Sequence, residues 1–337
     1  MSTIIDVAKL AGVSKSTVSR VISKNGVVKE ETKKNVEDAM GKLNYTPSYF
    51  AQGIKTGKTK TIAVFVPDIT SQFYAHVYRG AEQVALQNGY IAIMCDTDIQ
   101  SGKEIQYIRE MLKRKIDGII YHTFQVNAKN NLYFINLSEK MPVVFMDYGF
   151  TQYENISYVV TEPMDATVEA IRHLVETGRK KIGYTMFPSE ITVTSARFEA
   201  YRIGLAKYGI EYDQELVCSF KEKLDVTKLG QAGRKSVDYY LGLKERPDAI
   251  LYANDQMAIG AIKQLQAVGM RVPQDIAIVG YDNIPMCEVV SPELTTIAQP
   301  LMQLGQEAAR IVIEKLKGNP VSDRLKLPAR LIIRQST

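Results

Sequence analysis

Lys15, Ser16, Thr17, Ser19 and Arg20 place five polar side chains within six positions of a short segment whose apolar residues fall at Val18, Val21 and Ile22. Arg can grip a guanine edge or a phosphate, and Ser and Thr hydroxyls can reach bases or backbone, so this face suits the reading of DNA. A second set is dispersed along the chain. Asp147, Asn254 and Asp282 each follow an apolar run, Arg197 opens a helical pattern after another, and Phe73 and Tyr74 lie beyond the first run. Carboxylates, an amide and a guanidinium take paired hydroxyls in bidentate fashion, while aromatic faces cover the apolar side of a sugar or base. Taken singly, each has a structural alternative: Asn254 or Asp255 as a helix N-cap, Asp282 closing a turn with Asn283, Arg197 as a solvated first-turn residue.

Other chemistries find no support. His76, His122 and His173, and Cys95, Cys218 and Cys287, are scattered without metal-ligand or redox-motif spacing, so neither a metal nor a cofactor is expected and the cysteines read as small buried residues. There is no H-E-x-x-H and no G-x-S-x-G, and no predicted strand is followed by G-x-G-x-x-G. Gly57-Lys58-Thr59 looks like the end of a phosphate-binding loop, but Gln52 stands where its first glycine is required. An enzyme is therefore not expected. The first residues carry no basic leader with a long apolar run, which predicts a cytoplasmic protein without a membrane partner.

The elements that position these residues differ between the two ends of the chain. Residues 1–60 hold 11 Lys/Arg against 5 Asp/Glu, whereas the remainder holds 31 against 32, so the excess positive charge is confined to the first sixth and points to a polyanionic partner. Thr3 with Asp6 forms a capping-box spacing, and Ile4, Val7, Ala8 and Ala11 make one amphipathic stripe. Gly12 stops that helix and Ser14 can cap a second. Glu30 and Glu31 start a third, striped by Val36, Ala39, Met40 and Leu43. Two helices joined by a tight Gly turn form a helix-turn-helix, whose second helix enters the major groove.

From Thr61 short apolar runs alternate with helical stripes. Strands are predicted at 62–66, 90–94, 118–121, 143–146, 181–186, 216–220, 249–252, 276–280 and 330–333, with helices at 73–87, 195–208 and 256–268 among the connections. This alternation means parallel sheets covered on both faces, and its length requires two of them. Ligands of such sheets bind beyond the carboxyl ends of the strands, where the second polar set lies.

The run from Ile5 to Ile22, Ile-Asp-Val-Ala-Lys-Leu-Ala-Gly-Val-Ser-Lys-Ser-Thr-Val-Ser-Arg-Val-Ile, together with Thr32-Lys33-Lys34-Asn35-Val36 and Leu43-Asn44-Tyr45-Thr46-Pro47, closely resembles the DNA-binding headpiece of the LacI/GalR family of bacterial regulators. Ser195-Ala196-Arg197, Tyr252 to Ala258 and Val279 to Asn283 resemble segments of that family's effector pocket, so the likeness covers essentially the whole chain. It implies an all-α helix-turn-helix headpiece at 1–47, a hinge helix and linker at 48–60, and an α/β periplasmic-binding-protein-like effector and dimerisation domain at 61–337. That domain would comprise two parallel-sheet subdomains, about 61–159 plus 291–322 and about 160–290 plus 323–337.

The resemblance further implies DNA contacts from Thr3 and Ile5, from Ser14, Lys15, Ser16, Thr17, Ser19, Arg20 and Ser23, and from Lys29 and Tyr45. In the hinge it implies contacts from Ser48, Ala51, Gln52 and Ile54, the last as a minor-groove wedge. Effector contacts would come from Phe73, Tyr74, Asp147, Arg197, Asn254 and Asp282. The implied protein is a homodimeric regulator, a repressor of carbohydrate-related genes, bound to double-stranded DNA at a pseudo-palindromic operator and controlled allosterically by a sugar or sugar derivative. Three departures stand out. Ile5 replaces a common Tyr, Lys29 replaces a capping Ser, and Phe220 to Lys228 carries an insertion where relatives place an aromatic lid. No leucine heptad follows 330–333, which predicts a dimer in place of a coiled-coil tetramer.

Two outcomes follow from the sequence alone. DNA affinity should fall steeply with salt, by roughly −0.9 in the log-log slope for each phosphate neutralised; a flat response in fluorescence anisotropy would contradict the charge segregation. Ile54→Gly should weaken operator binding more than binding to scrambled DNA. Equal loss on both would make the 48–54 segment a passive tether.

Overall fold

The computed structural model describes the chain apart from residues 1, 24–26, 47–57, 99, 123–127, 147, 188–191 and 221–227. Two compact units result, 1–60 and 61–337. The expected boundary at 47 and the hinge helix at 48–54 lie outside the described residues.

The first unit contains α1 (Ile4–Leu10), α2 (Lys15–Ser23) and α3 (Glu30–Lys42). The capping box forms: the Asp6 amide donates to Thr3 Oγ1 at 3.4 Å, and the Thr3 amide donates to Asp6 Oδ2 at 2.8 Å. The Thr3 hydroxyl, donating to Asp6 Oδ2 at 2.8 Å, and the Thr3 amide together hold the Asp6 carboxyl below its ordinary range. Gly12 takes φ +65, a left-handed conformation that a Cβ disfavours, and lets the Val13 amide donate back to the Ala8 carbonyl at 3.0 Å. Ser14 Oγ then accepts the Thr17 amide at 3.1 Å and opens α2. Lys29 caps nothing with its side chain, as expected from the lost Ser. Val7, Ala8, Val18, Val36 and Ala39 form the buried centre that fixes α2 against the other two helices.

The second unit is built from two six-stranded sheets. The first contains β1 (Thr61–Val66), β2 (Ile91–Asp96), β3 (Gly118–Tyr121), β4 (Val143–Phe145), β5 (Ser157–Glu162) and β11 (Arg324–Pro328), in the order β11-β5-β4-β3-β1-β2 and all parallel. The second contains β6 (Ile182–Thr185), β7 (Val217–Cys218), β8 (Ala249–Tyr252), β9 (Ala277–Asp282), β10 (Thr295–Ala298) and β12 (Arg330–Ile332), in the order β12-β10-β9-β8-β6-β7. Only β10 and β12 are antiparallel among its described pairs. Alternation along each central strand feeds a core on either face. Ile62, Val64 and Val66 join one core and Ala63 and Phe65 the other, while β8 divides Ile250 and Tyr252 from Ala249 and Leu251 in the same way.

The expected subdomain boundaries need correction. β5 keeps the chain in the first sheet to Glu162, β10 belongs to the second sheet, and β11 belongs to the first, so the crossings fall near Pro163, Gln299–Pro300 and Ala329 in place of 159/160, 290/291 and 322/323. The cause lies in composition. β10 reads Thr-Thr-Ile-Ala, and its two threonines are buried because partners satisfy them: Thr296 Oγ1 donates to Asp255 Oδ1 at 2.6 Å, and the Arg334 amide donates to Thr295 Oγ1 at 2.8 Å. Arg197 also moves from the start of its helix to the second turn, since that helix runs Thr192–Lys207.

Each sheet carries one pair of helices in backbone contact. Helices Gln72–Gln87 and Leu301–Lys317 meet at Gly80 and Gly305, where an added Cβ would lie 2.1 Å from the Met302 carbonyl oxygen and 1.8 Å from that of Val77. Helices Leu229–Gly242 and Asp255–Ala267 meet at Gly233 and Gly260 in the same manner. Gly305→Ala should therefore destabilise the domain by about 2 kcal/mol or more in urea unfolding. Gly102→Ala, in a helix with open space around it, should instead be neutral or stabilise by up to about 1 kcal/mol. Similar behaviour of the two variants would contradict the close packing.

Candidate effector cleft and DNA-binding face

On the headpiece, burial of Val18 turns the opposite face of α2 to solvent. Ser14, Lys15, Ser16, Arg20 and Ser23 are exposed there, with Thr17 and Ser19 half-buried, and Thr3, Ile5 and Lys29 are exposed on neighbouring segments. Several hydroxyls already have local work. Ser14 Oγ lies 2.7 Å from Ser16 Oγ and 2.9 Å from Thr17 Oγ1, and Ser23 Oγ donates to the Ser19 carbonyl at 2.8 Å. Tyr45 packs against the headpiece core. Ser48, Ala51, Gln52 and Ile54 lie outside the described residues; among the described residues of α2, Lys15 and Arg20 are the charged groups.

In the second unit the carboxyl ends of both sheets line one cleft enclosing about 870 Å³, its mouth included. The first sheet's side contributes Asp68, Phe73, Tyr74, His122, Met146 and Thr161. From the second come Phe187, Arg197, Asn254, Tyr281 and Asp282, while Gln299 enters from a crossing segment. Five of the six effector residues expected from sequence, Phe73, Tyr74, Arg197, Asn254 and Asp282, thus meet at one site. Asp147 lies outside the described residues.

Arg197 is not solvated. Its guanidinium carbon sits 3.6 Å from the centroid of the Tyr281 ring, Nη1 donates to the Ala253 carbonyl at 2.5 Å, and Nη2 lies 3.6 Å from Asp282 Oδ1. Gln299 Nε2 donates to that same Asp282 oxygen at 2.6 Å. Burial raises the Asp282 carboxyl above the ordinary carboxylate range, and the Arg197 charge opposes the rise. Asp282 has φ +117 and Asn283 has φ +58, so the anticipated turn does exist, and it aims the carboxylate into the cleft. Beneath it Asp255 is fully buried and accepts from the Ile284 amide at 2.9 Å as well as from Thr296.

Asn254 also holds two places. Its Oδ1 caps the helix Asp255–Ala267 by accepting the Met257 amide at 2.9 Å, and its residue lines the cleft. On the facing side Phe73, Tyr74 and His122 pack edge to face at 4.9 to 5.9 Å. Tyr74 is almost wholly in the core, so Phe73 is the more available ring. Burial, aided by the Arg197 charge, drives the His122 pKa down to about 3, which keeps the imidazole neutral. Thr161 presents a buried hydroxyl with no protein partner.

His122, Thr161, Phe187, Tyr281 and Gln299 were not singled out by sequence. His122 directly follows β3, and the same strand-end rule applied there would have found it. Thr161 and Gln299 depended on β5 and β10, whose polar composition hid them. Cys95, Cys218 and Cys287 are free and buried, as expected. Among the described residues no His, Cys, Asp and Glu group could hold a metal ion, and no helix is long and apolar enough to cross a membrane.

Comparison with known proteins agrees with this geometry. Residues 3–48 match the family model for bacterial regulatory proteins of the lacI family, and residues 171–337 match that for a periplasmic binding protein-like domain. The chain is 34% identical over 339 residues to the NTD biosynthesis operon regulator NtdR of Bacillus subtilis, covering 100% of both. It is 33% identical to the HTH-type transcriptional repressor PurR of Photobacterium profundum, covering 100% of this chain and 98% of that one. Among solved structures, the lac repressor dimer bound to operator and the anti-inducer ONPF matches with a TM-score of 0.86 at 26% identity, over 99% of this chain and 98% of that one. The complex of the transcriptional regulator CelR with cellobiose matches with a TM-score of 0.71 at 26% identity, over 100% of both chains. The chain belongs to the lacI family of bacterial regulatory proteins. It is a DNA-binding transcriptional regulator with an effector domain of the periplasmic-binding-protein type.

The double placement of Asn254 has a measurable consequence. Asn254→Ala should cost about 1 kcal/mol of stability through the lost cap before any ligand is added. Unchanged urea unfolding would show that the cap contributes nothing.

Proposed function

We propose that this regulator is a homodimeric repressor of carbohydrate-related genes, acting in the cytoplasm on a pseudo-palindromic operator and released or tightened by a sugar-like effector. The observation that carries the effector reading is the buried Arg197–Asp282 pair, which lines the same cleft as Phe73 on the facing side. A guanidinium and a carboxylate side by side match the donor and acceptor of a vicinal diol, and an aromatic ring covers the apolar face of a pyranose. Asn254, Thr161 and Gln299 add neutral polar contacts around the ring. The names of similar proteins support the same reading, since one is bound to cellobiose and another, a dimer, to operator.

On the headpiece, Lys15, Ser16 and Arg20 read the operator from the exposed face of α2, with Thr3, Thr17, Ser19, Ser23 and Lys29 positioning the backbone. Ile5, Ser14, Tyr45 and the hinge residues Ser48, Ala51, Gln52 and Ile54 complete the interface. Coupling between the two sites is reciprocal: the effector changes operator affinity by the factor by which operator changes effector affinity.

Asp282→Asn tests the cleft with little backbone penalty, because Asn tolerates the positive φ that this position requires. Thermal-shift screening against free sugars should identify a ligand whose effect on operator binding disappears in Asp282→Asn while operator binding itself persists. Full retention of the ligand response would move the effector elsewhere. Arg20→Ala should cost roughly 1 to 3 kcal/mol of operator affinity and leave the ligand shift intact; wild-type affinity in anisotropy would remove Arg20 from the interface.

A further inference from the structure

Resting on the effector reading above, we propose that the cleft admits uncharged or cationic polyhydroxylated ligands and excludes phosphorylated and carboxylated ones. The charge inventory of the cleft carries the argument. Among the described residues that line it, Arg197 is the only cation, and Asp68 and Asp282 are the acids. Arg197 is already engaged on three sides, by the Tyr281 ring, the Ala253 carbonyl and Asp282. An entering phosphate would have to draw the guanidinium away from the Tyr281 ring and the Ala253 carbonyl and leave the buried Asp282 carboxyl with Gln299 in place of its cationic neighbour.

Nothing else described in the lining offers a replacement. His122 is held neutral by burial, so it contributes hydrogen bonding and an aromatic face but no charge. The helix Asp255–Ala267 points its amino end toward the cleft residues, a position that commonly receives anions. Here the Asn254 side chain caps it, and the Asp255 carboxylate occupies its first turn. Asp68 is buried and held by two bonds on one oxygen, Oδ1, from the Thr70 amide at 2.8 Å and the Thr70 hydroxyl at 2.6 Å. Those bonds hold its side chain in place on the first sheet's side of the cleft. An ammonium group meets a favourable field in this cleft and a phosphate an unfavourable one.

The experiment uses the full chain and isothermal titration calorimetry with D-glucose, D-galactose, D-mannose and D-ribose, each as the free sugar and as its amino, acid and phosphate forms. For any sugar that binds, the phosphate and acid forms should be about 100-fold weaker or more, and the amino form at least as tight as its parent. Asp68→Asn should narrow the gap between phosphate and parent by about tenfold, since it removes one of two facing charges. A phosphate or acid form binding as tightly as its parent, with binding lost in Asp282→Asn, would overturn the charge selectivity and leave the effector site standing. Binding that persists unchanged in Asp282→Asn would overturn the effector site itself, and silence across the whole panel would remove the sugar reading together with this proposal.

Discussion

Holding the Arg197 guanidinium out of water is the constraint around which the effector domain is arranged. Moving a charge into a protein interior costs several kcal/mol per ion, and attraction to a single counter-ion rarely offsets it. Here the offset comes from three directions at once, an aromatic face, a carbonyl and a carboxylate. The neighbouring residues follow from that requirement. Tyr281 supplies the face, Ala253 the carbonyl and Asp282 the charge, and Gly280 has no side chain because a Cβ there would lie 2.2 Å from Asp255 Oδ1. Asp255 in turn ties the start of its helix to β10 and to the Ile284 amide. The segments Tyr252 to Asp255 and Val279 to Asp282 are thus a single packed unit drawn from two adjacent strands.

That unit is joined to the crossing between the sheets through Gln299. The Gln299 amide donates to Asp282, and its residue stands between β10 of the second sheet and the helix Leu301–Lys317 that covers the first. An occupant that engages Asp282 therefore acts on a hydrogen bond shared with the chain segment that links the two sheets. A ligand shifts a conformational equilibrium only by its differential affinity for the two states, and a bond placed at a crossing is a means of acquiring such a difference. The helix pairs at Gly80 with Gly305 and at Gly233 with Gly260 are packed backbone to backbone on either sheet.

Much of this organisation was readable in advance. The capping box of Thr3 and Asp6, the Gly12 stop and the Ser14 cap are local devices whose partners lie within a few residues, and all of them form. The strands Gly118–Tyr121 and Ala249–Tyr252 are continuous apolar runs buried on both faces, and their limits coincide with the expected ones. Where polar residues dilute the apolar signal, periodicity does not mark the strand. β5 mixes Ser157, Tyr158 and Thr161 with its valines, β10 begins with two threonines, and β11 alternates Arg324 and Lys326 with two leucines as an edge strand. These strands flank the crossings, so the subdomain boundaries were misplaced with them.

The sequence by itself determined the helix-turn-helix, the doubly covered parallel sheets and the identity of the polar groups beyond the strand ends, because each rests on short-range periodicity, caps and turn residues. Tertiary structure alone decided that Arg197 is a buried partner of Asp282 and not a solvated first-turn residue, and that His122 and Gln299 belong to the same site. Those roles depend on side chains separated by 17 to 85 positions coming within contact of one another. Burial and electrostatic environment exist only after the two sheets have brought them together.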